Sequence, residues 1–149
     1  MGIFDAIDIA GSGLTAERLR MDVTAENLAN AQTTRTADGG PYQRKEVVLQ
    51  PSSGSSFGSV LTGAIGGVRP TDPPNGVEVA GIVEDTSSQR LVYDPSHPDA
   101  NAQGYVAMPN VNPVTEMVDL ISSSRSYEAN VTSMQSAKQM FTKTLELLR

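Results

Sequence analysis

Two runs of apolar residues, one at each end of the chain, recur at alternating intervals of three and four. Ile3, Ile7, Ala10, Leu14, Met21, Leu28 and Ala31 make the first, with Glu17 and Thr24 as polar interruptions. Met117, Leu120, Tyr127, Val131, Met134, Phe141, Leu145 and Leu148 make the second, interrupted by Ser124 and Lys138. This spacing returns to one side of an α-helix every seven residues and marks a seam of the coiled-coil kind. A seam needs a partner, so the two ends are expected to pair with each other as antiparallel helices. At a rise of 1.5 Å per residue they would run roughly 45 and 54 Å, which favours a rod-like subunit.

Local signals bound these helices. Asn112 is placed to cap the second, and Pro113 suits its first turn, where a missing N–H costs nothing. The first should end near Asn30, ahead of the turn residues Asp38, Gly39, Gly40 and Pro41. A further stripe of Ile9, Ala16, Leu19 and Val23 lies about 200° round from Ile7, so one partner helix is not expected to cover both. The second helix also offers a face of small residues, Ser122, Ser126, Ala129, Ser133, Ser136 and Ala137, which a neighbouring backbone could approach closely. Both features point to assembly.

Between the helices, residues 42–49, 77–83, 89–93 and 105–108 have strand composition with Gly or Pro at their flanks. Residues 51–67 are rich in Gly and Ser and read as a flexible loop. The expected fold is therefore α+β: two long terminal helices in a coiled-coil-like pair, with a small irregular β module and a flexible Gly/Ser loop between them. Its divisions are 1–34 for the first helix, 35–111 for the β module with its loop at 51–76, and 112–149 for the second helix.

Composition narrows function by exclusion. A net charge of -6 and scattered basic residues argue against a nucleic-acid partner, and Arg44-Lys45 alone is too small a cluster to bind phosphates. The absence of cysteine removes thiolate metal sites and cysteine nucleophiles. No window approaches a membrane span, and residues 1–30, broken by Asp5, Asp8 and Glu17, do not read as a cleaved signal. His97, the single histidine, sits among prolines in a turn with no evident partner. Asp94, Asp99, Glu84 and Asp85 match no calcium loop and read as solvated acidic residues. Gly11-Ser12-Gly13 lacks the third glycine of a dinucleotide fingerprint and lies inside the seam, where close helix packing is the simpler role. Asn130-Val131-Thr132 has the form of a glycosylation acceptor but falls within a helix. No catalytic residue, cofactor site or metal site is expected, and no small-molecule substrate.

Ser12-Gly13-Leu14-Thr15-Ala16, followed by Ala25-Glu26-Asn27-Leu28-Ala29-Asn30-Ala31-Gln32-Thr33, resembles the N-terminal motif of flagellar rod and hook proteins, with Gln32 where Asn is more usual. Gly40-Pro41-Tyr42 with Arg44-Lys45, Val92-Tyr93-Asp94-Pro95 with His97-Pro98, Gly104-Tyr105-Val106, Pro109-Asn110-Val111 and Arg125-Ser126-Tyr127-Glu128-Ala129-Asn130 resemble the proximal-rod members of that family. The resemblance covers nearly the whole chain outside 51–76. It implies a structural subunit of the basal-body rod, exported by the flagellar type III pathway without cleavage, located in the periplasmic part of the motor. Its partners would be copies of itself, neighbouring rod proteins and the export apparatus. The residues expected at the assembly interface are Ile7, Leu14, Met21, Asn27, Leu28, Asn30, Leu120, Tyr127, Asn130, Met134, Phe141 and Leu148. The alternatives are another rod or hook subunit or, from a different class, a soluble helical adaptor or secretion chaperone whose seams bind a client.

Overall fold

The structure is a computed structural model that describes residues 3–37, 39–52 and 76–147. Helix α1 spans Ile3–Ala29 and helix α2 spans Pro113–Leu147, with β1 Lys45–Pro51, β2 Val77–Glu84, β3 Arg90–Tyr93 and β4 Tyr105–Met108 between them. The fold is α+β as expected, and all four strand segments fall within a few residues of their expected places. Leu148 and most of the 51–76 loop lie outside the described residues.

The helix ends follow their local chemistry. Asn112 Oδ1 accepts a hydrogen bond from Val114 N at 3.0 Å, and the Asn112 carbonyl takes the Glu116 N–H, so α2 is capped as its sequence suggests. Past Ala29, α1 unwinds through a turn in which Thr33 N donates to the Asn30 carbonyl and the Thr33 hydroxyl to Asn30 Oδ1. Thr36, Gly39 and Gly40 then close a tight loop, with positive φ at both glycines, and Tyr42 N donates back to the Thr33 carbonyl.

The chain divides into two compact units. The first comprises Met1–Ala16, Leu49–Ala80 and Tyr127–Arg149. Within it Gly13 faces Asn130 and Gly11 faces Met134, so a later residue of α1 meets an earlier residue of α2 and the pairing is antiparallel. A Cβ on Gly13 would stand 2.9 Å from Asn130 Nδ2, so this glycine does serve close helix packing. Ser12 Oγ donates to the Ile9 carbonyl and accepts from Val77 N, tying the start of β2 to α1, while Ser52 N donates to the Gly76 carbonyl.

The second unit comprises Glu17–Val48 and Gly81–Ser126. Here β3 and β4 pair antiparallel, Val92 opposite Val106 and Tyr93 opposite Tyr105, and the two tyrosine rings meet edge to face at 5.2 Å. Gly104, with φ of +82°, turns the chain into β4. Val106 faces inward at 1% exposure, whereas Leu91 and Tyr93 on the opposite face are open to solvent.

Two sequence expectations need correction. On α2 the inward positions run 116, 120, 123, 127, 130, 134, 137 and 141, and Glu116, Ser123 and Ala137 among them are buried. The expected seam had 120, 127, 134 and 141 right, and its Val131 is half-buried as well, but Met117 and Leu145, taken as inward, are exposed. The sequence reading took Met117 where Glu116 is buried, and Ser124 and Lys138 where Ser123 and Ala137 are; Glu116 turns inward because Arg44 and Asn27 meet it there. On α1, Ala16 and Val23 of the supposedly surplus stripe are buried within the chain, Val23 lining a cavity of about 60 Å³ together with Val47 of β1. That stripe is therefore largely covered by the subunit itself.

Candidate functional site: a polar junction between motif residues

The densest polar arrangement is built on the dipeptide Arg44-Lys45. Every main-chain polar group of the pair is satisfied: Arg44 N donates to Asn110 Oδ1 at 2.8 Å and the Arg44 carbonyl accepts from Asp85 N at 2.7 Å. Lys45 N donates to Asn27 Oδ1 at 2.9 Å, and the Lys45 carbonyl accepts from Asn27 Nδ2 at 2.8 Å. Asn110 in turn donates to the Asp85 carbonyl and the Ser87 hydroxyl.

The side chains lock the same place. Arg44 Nε donates to Glu116 Oε1 at 2.6 Å, and its terminal nitrogens lie 3.6 Å from Glu46 and from Asp119. Glu116 is 1% exposed, a carboxylate tolerated at that depth because Arg44 and Asn27 Nδ2, the latter at 3.1 Å, share its charge. Asn27, also 1% exposed, uses its whole amide, its Oδ1 accepting additionally from the Tyr42 hydroxyl at 2.9 Å. Lys45 Nζ reaches Glu26 at 2.7 Å and sits over the Tyr42 ring.

The titrations follow. The hydrogen bond to Glu116 holds the Arg44 guanidinium above its ordinary value, against the opposing effect of burial. The bond to Glu26 raises Lys45. Burial, then the charge of Glu26, raises the Tyr42 phenol.

The main-chain groups of Arg44 and Lys45 and the whole Asn27 amide are spent on other parts of the chain, so the junction holds segments together. Among the described residues no group of three His, Cys, Asp or Glu is arranged to hold a metal ion. Among them, too, no helix is long and apolar enough to cross a membrane. His97 Nδ1 accepts from Asp99 N, and Asp99 accepts the Thr34 hydroxyl at 2.8 Å, so Asp99 is tied to a distant part of the chain rather than simply solvated.

The expected interface residues separate into groups. Ile7, Leu14, Met21, Leu28, Asn30, Leu120, Tyr127, Asn130, Met134 and Phe141 are half-buried, keeping part of their surface open. Asn27 is consumed inside the chain. What sequence reasoning missed is the junction itself: Arg44 and Lys45 stand there as a cluster too small for phosphates and as part of a family motif, and nothing singles out Glu116. The signal that could have found them was their company, since Asn27, Tyr42, Arg44, Lys45 and Asn110 all belong to the motifs that carried the family resemblance.

Known proteins supply the context. The family model for the flagella basal body rod protein matches residues 7–35, and that for the flagellar basal body rod FlgEFG protein C-terminal matches 102–147. Asn27 lies in the first span, Asn110 and Glu116 in the second, and the junction joins them. The flagellar basal-body rod protein FlgC of Bacillus subtilis is 52% identical, the alignment covering 99% of each chain. The FlgC proteins of Borreliella burgdorferi, at 45% identity over 100% of this chain and 99% of theirs, and of Salmonella typhimurium, at 42% over 99% and 98%, extend the similarity. With matches of this length and identity, the chain belongs to the flagellar basal-body rod protein family, a family of structural rod subunits.

Proposed function

We propose that the chain is a subunit of the proximal rod that polymerises through its terminal helices to form part of the axial drive shaft and of the export channel within it, and that it performs no catalysis. The observation that carries the reading is an exposed apolar stripe on α2. Val114, Met117, Val118 and Ile121, at helical intervals of three and four, are 64, 45, 60 and 52% exposed. A soluble subunit gains nothing from such a stripe on its own, whereas a neighbouring subunit would bury it. The half-buried seam residues, Ile7 and Leu14 on α1 and Leu120, Tyr127, Met134 and Phe141 on α2, extend the surface available to neighbours. The division into helical ends for assembly and a β module at 35–111 belongs to this proposal. So do export through the flagellar type III apparatus without a cleaved signal and residence in the periplasmic part of the rod, beside copies of itself and other rod proteins.

The test is the replacement Ile121→Asp, which places a charge on the stripe without touching the junction. The expected result is a subunit with unchanged helix content that reaches the periplasm but is missing from purified basal bodies, in cells that do not swim. Normal swimming with the variant present in the rod would refute the proposal.

A further inference from the structure

The junction at Arg44-Lys45 has the properties of an all-or-none closure. Its ties come from three regions far apart in the sequence: Glu26 and Asn27 at the end of α1, Asp85 after β2, and Asn110, Glu116 and Asp119 at the start of α2 and just ahead of it. Each bond depends on others. The Asn27 amide is satisfied only when Tyr42, Lys45 and Glu116 are all in place, and the buried Glu116 charge is tolerable only when both Arg44 and Asn27 reach it. A half-formed junction would leave a buried carboxylate or amide unpaired, so partial closure is disfavoured.

We infer that this junction is the device that fixes the pairing of residues 17–29 of α1 with residues 113–126 of α2, and with it the outward setting of Val114, Met117, Val118 and Ile121. Docking of Arg44-Lys45 brings both helix segments to one register, and with the dipeptide undocked neither segment holds it. The consequence for assembly rests on the rod reading above; the closure itself does not.

Charge relocation tests it on the isolated full-length chain by residue-resolved hydrogen exchange. Asn27→Asp sets a second carboxylate against Glu116 and against the Lys45 carbonyl. Adding Glu116→Gln restores the net charge and reverses one bond, since the glutamine amide can donate to the carboxylate introduced at position 27 while its carbonyl still accepts from Arg44. The expected result for Asn27→Asp is a joint fall in protection of about tenfold or more across residues 17–29 and 113–126, as loss of a buried charge-assisted bond implies. The double variant should recover part of it, the Lys45 carbonyl still lacking the donor that Asn27 supplied. Loss confined to the Lys45 amide, or a double variant no better than Asn27→Asp, would overturn the inference. Because no assembly is involved, failure of the rod reading would leave this result unaltered and would show only in basal-body incorporation.

Discussion

Arg44 Nε and Glu116 Oε1 lie 2.6 Å apart, joining the residue just ahead of β1 to the first turn of α2 across 72 residues of chain. Removing Glu116 takes an acceptor from the buried Asn27 amide, whereas Arg44, 23% exposed, keeps Glu46 and Asp119 within 3.6 Å. Glu116→Ala should therefore destabilise the chain by about 1 to 3 kcal/mol, the range for leaving a buried polar group unsatisfied. Glu116→Gln keeps an acceptor for Arg44 and should cost markedly less. Urea unfolding followed by circular dichroism checks the order of the two.

The junction sets an alkaline limit. Tyr42, Arg44 and Lys45 all have folded-state pKa values raised above their ordinary ones. A raised value contributes stability that is complete below the unfolded pKa and is lost as pH climbs through the folded one. For the phenol and the lysine that window opens near pH 10. The chain should lose stability above it, and Tyr42→Phe, less stable at neutral pH because Asn27 Oδ1 loses a donor, should show a shallower further decline. Melting temperatures of both proteins between about pH 8 and 11.5 would reveal the difference.

Ser123 is 1% exposed, and its hydroxyl has no hydrogen-bond partner. Replacement by alanine removes a buried polar atom without creating a substantial void. Ser123→Ala should stabilise the chain by about 1 kcal/mol, through relief of desolvation and better helix propensity. A lower urea midpoint for the variant would show that the hydroxyl contributes to the fold despite its isolation.

Gly13 and Asn130 make a second test of packing. Alanine at residue 13 gains about 1 kcal/mol of helix propensity but pushes on the end of the Asn130 side chain, so Gly13→Ala alone should be close to neutral. In an Asn130→Ala background the push disappears and the same substitution should stabilise by about 1 kcal/mol. A thermodynamic cycle over the four proteins measures the coupling.

The contrast between these sites explains how much of the molecule was legible in its sequence. The helices and strands were, because periodicity, the Asn112-Pro113 cap and the turn glycines act over a few residues. The α2 seam was half legible: Leu120, Tyr127, Met134 and Phe141 announce themselves by hydrophobicity, but Glu116, Ser123 and Ala137 do not, since their burial depends on what α1 sets opposite them. The junction was legible only as a hint: Asn27, Arg44 and Asn110 stand in the family motifs, but nothing ties them to one another or to Glu116 until the fold brings them together. Exposure of the Val114 to Ile121 stripe was hidden for the same reason, as only the inward face of α2 identifies the outward one.

The rod reading turns on whether a neighbouring subunit buries the outward stripe of α2. Because the chain contains no cysteine, Val118→Cys introduces a single thiol whose reaction with a bulky maleimide reports its exposure. Rapid labelling of the free subunit and strong protection of the same residue in purified basal bodies are the predicted result. Equal labelling in both states would contradict it.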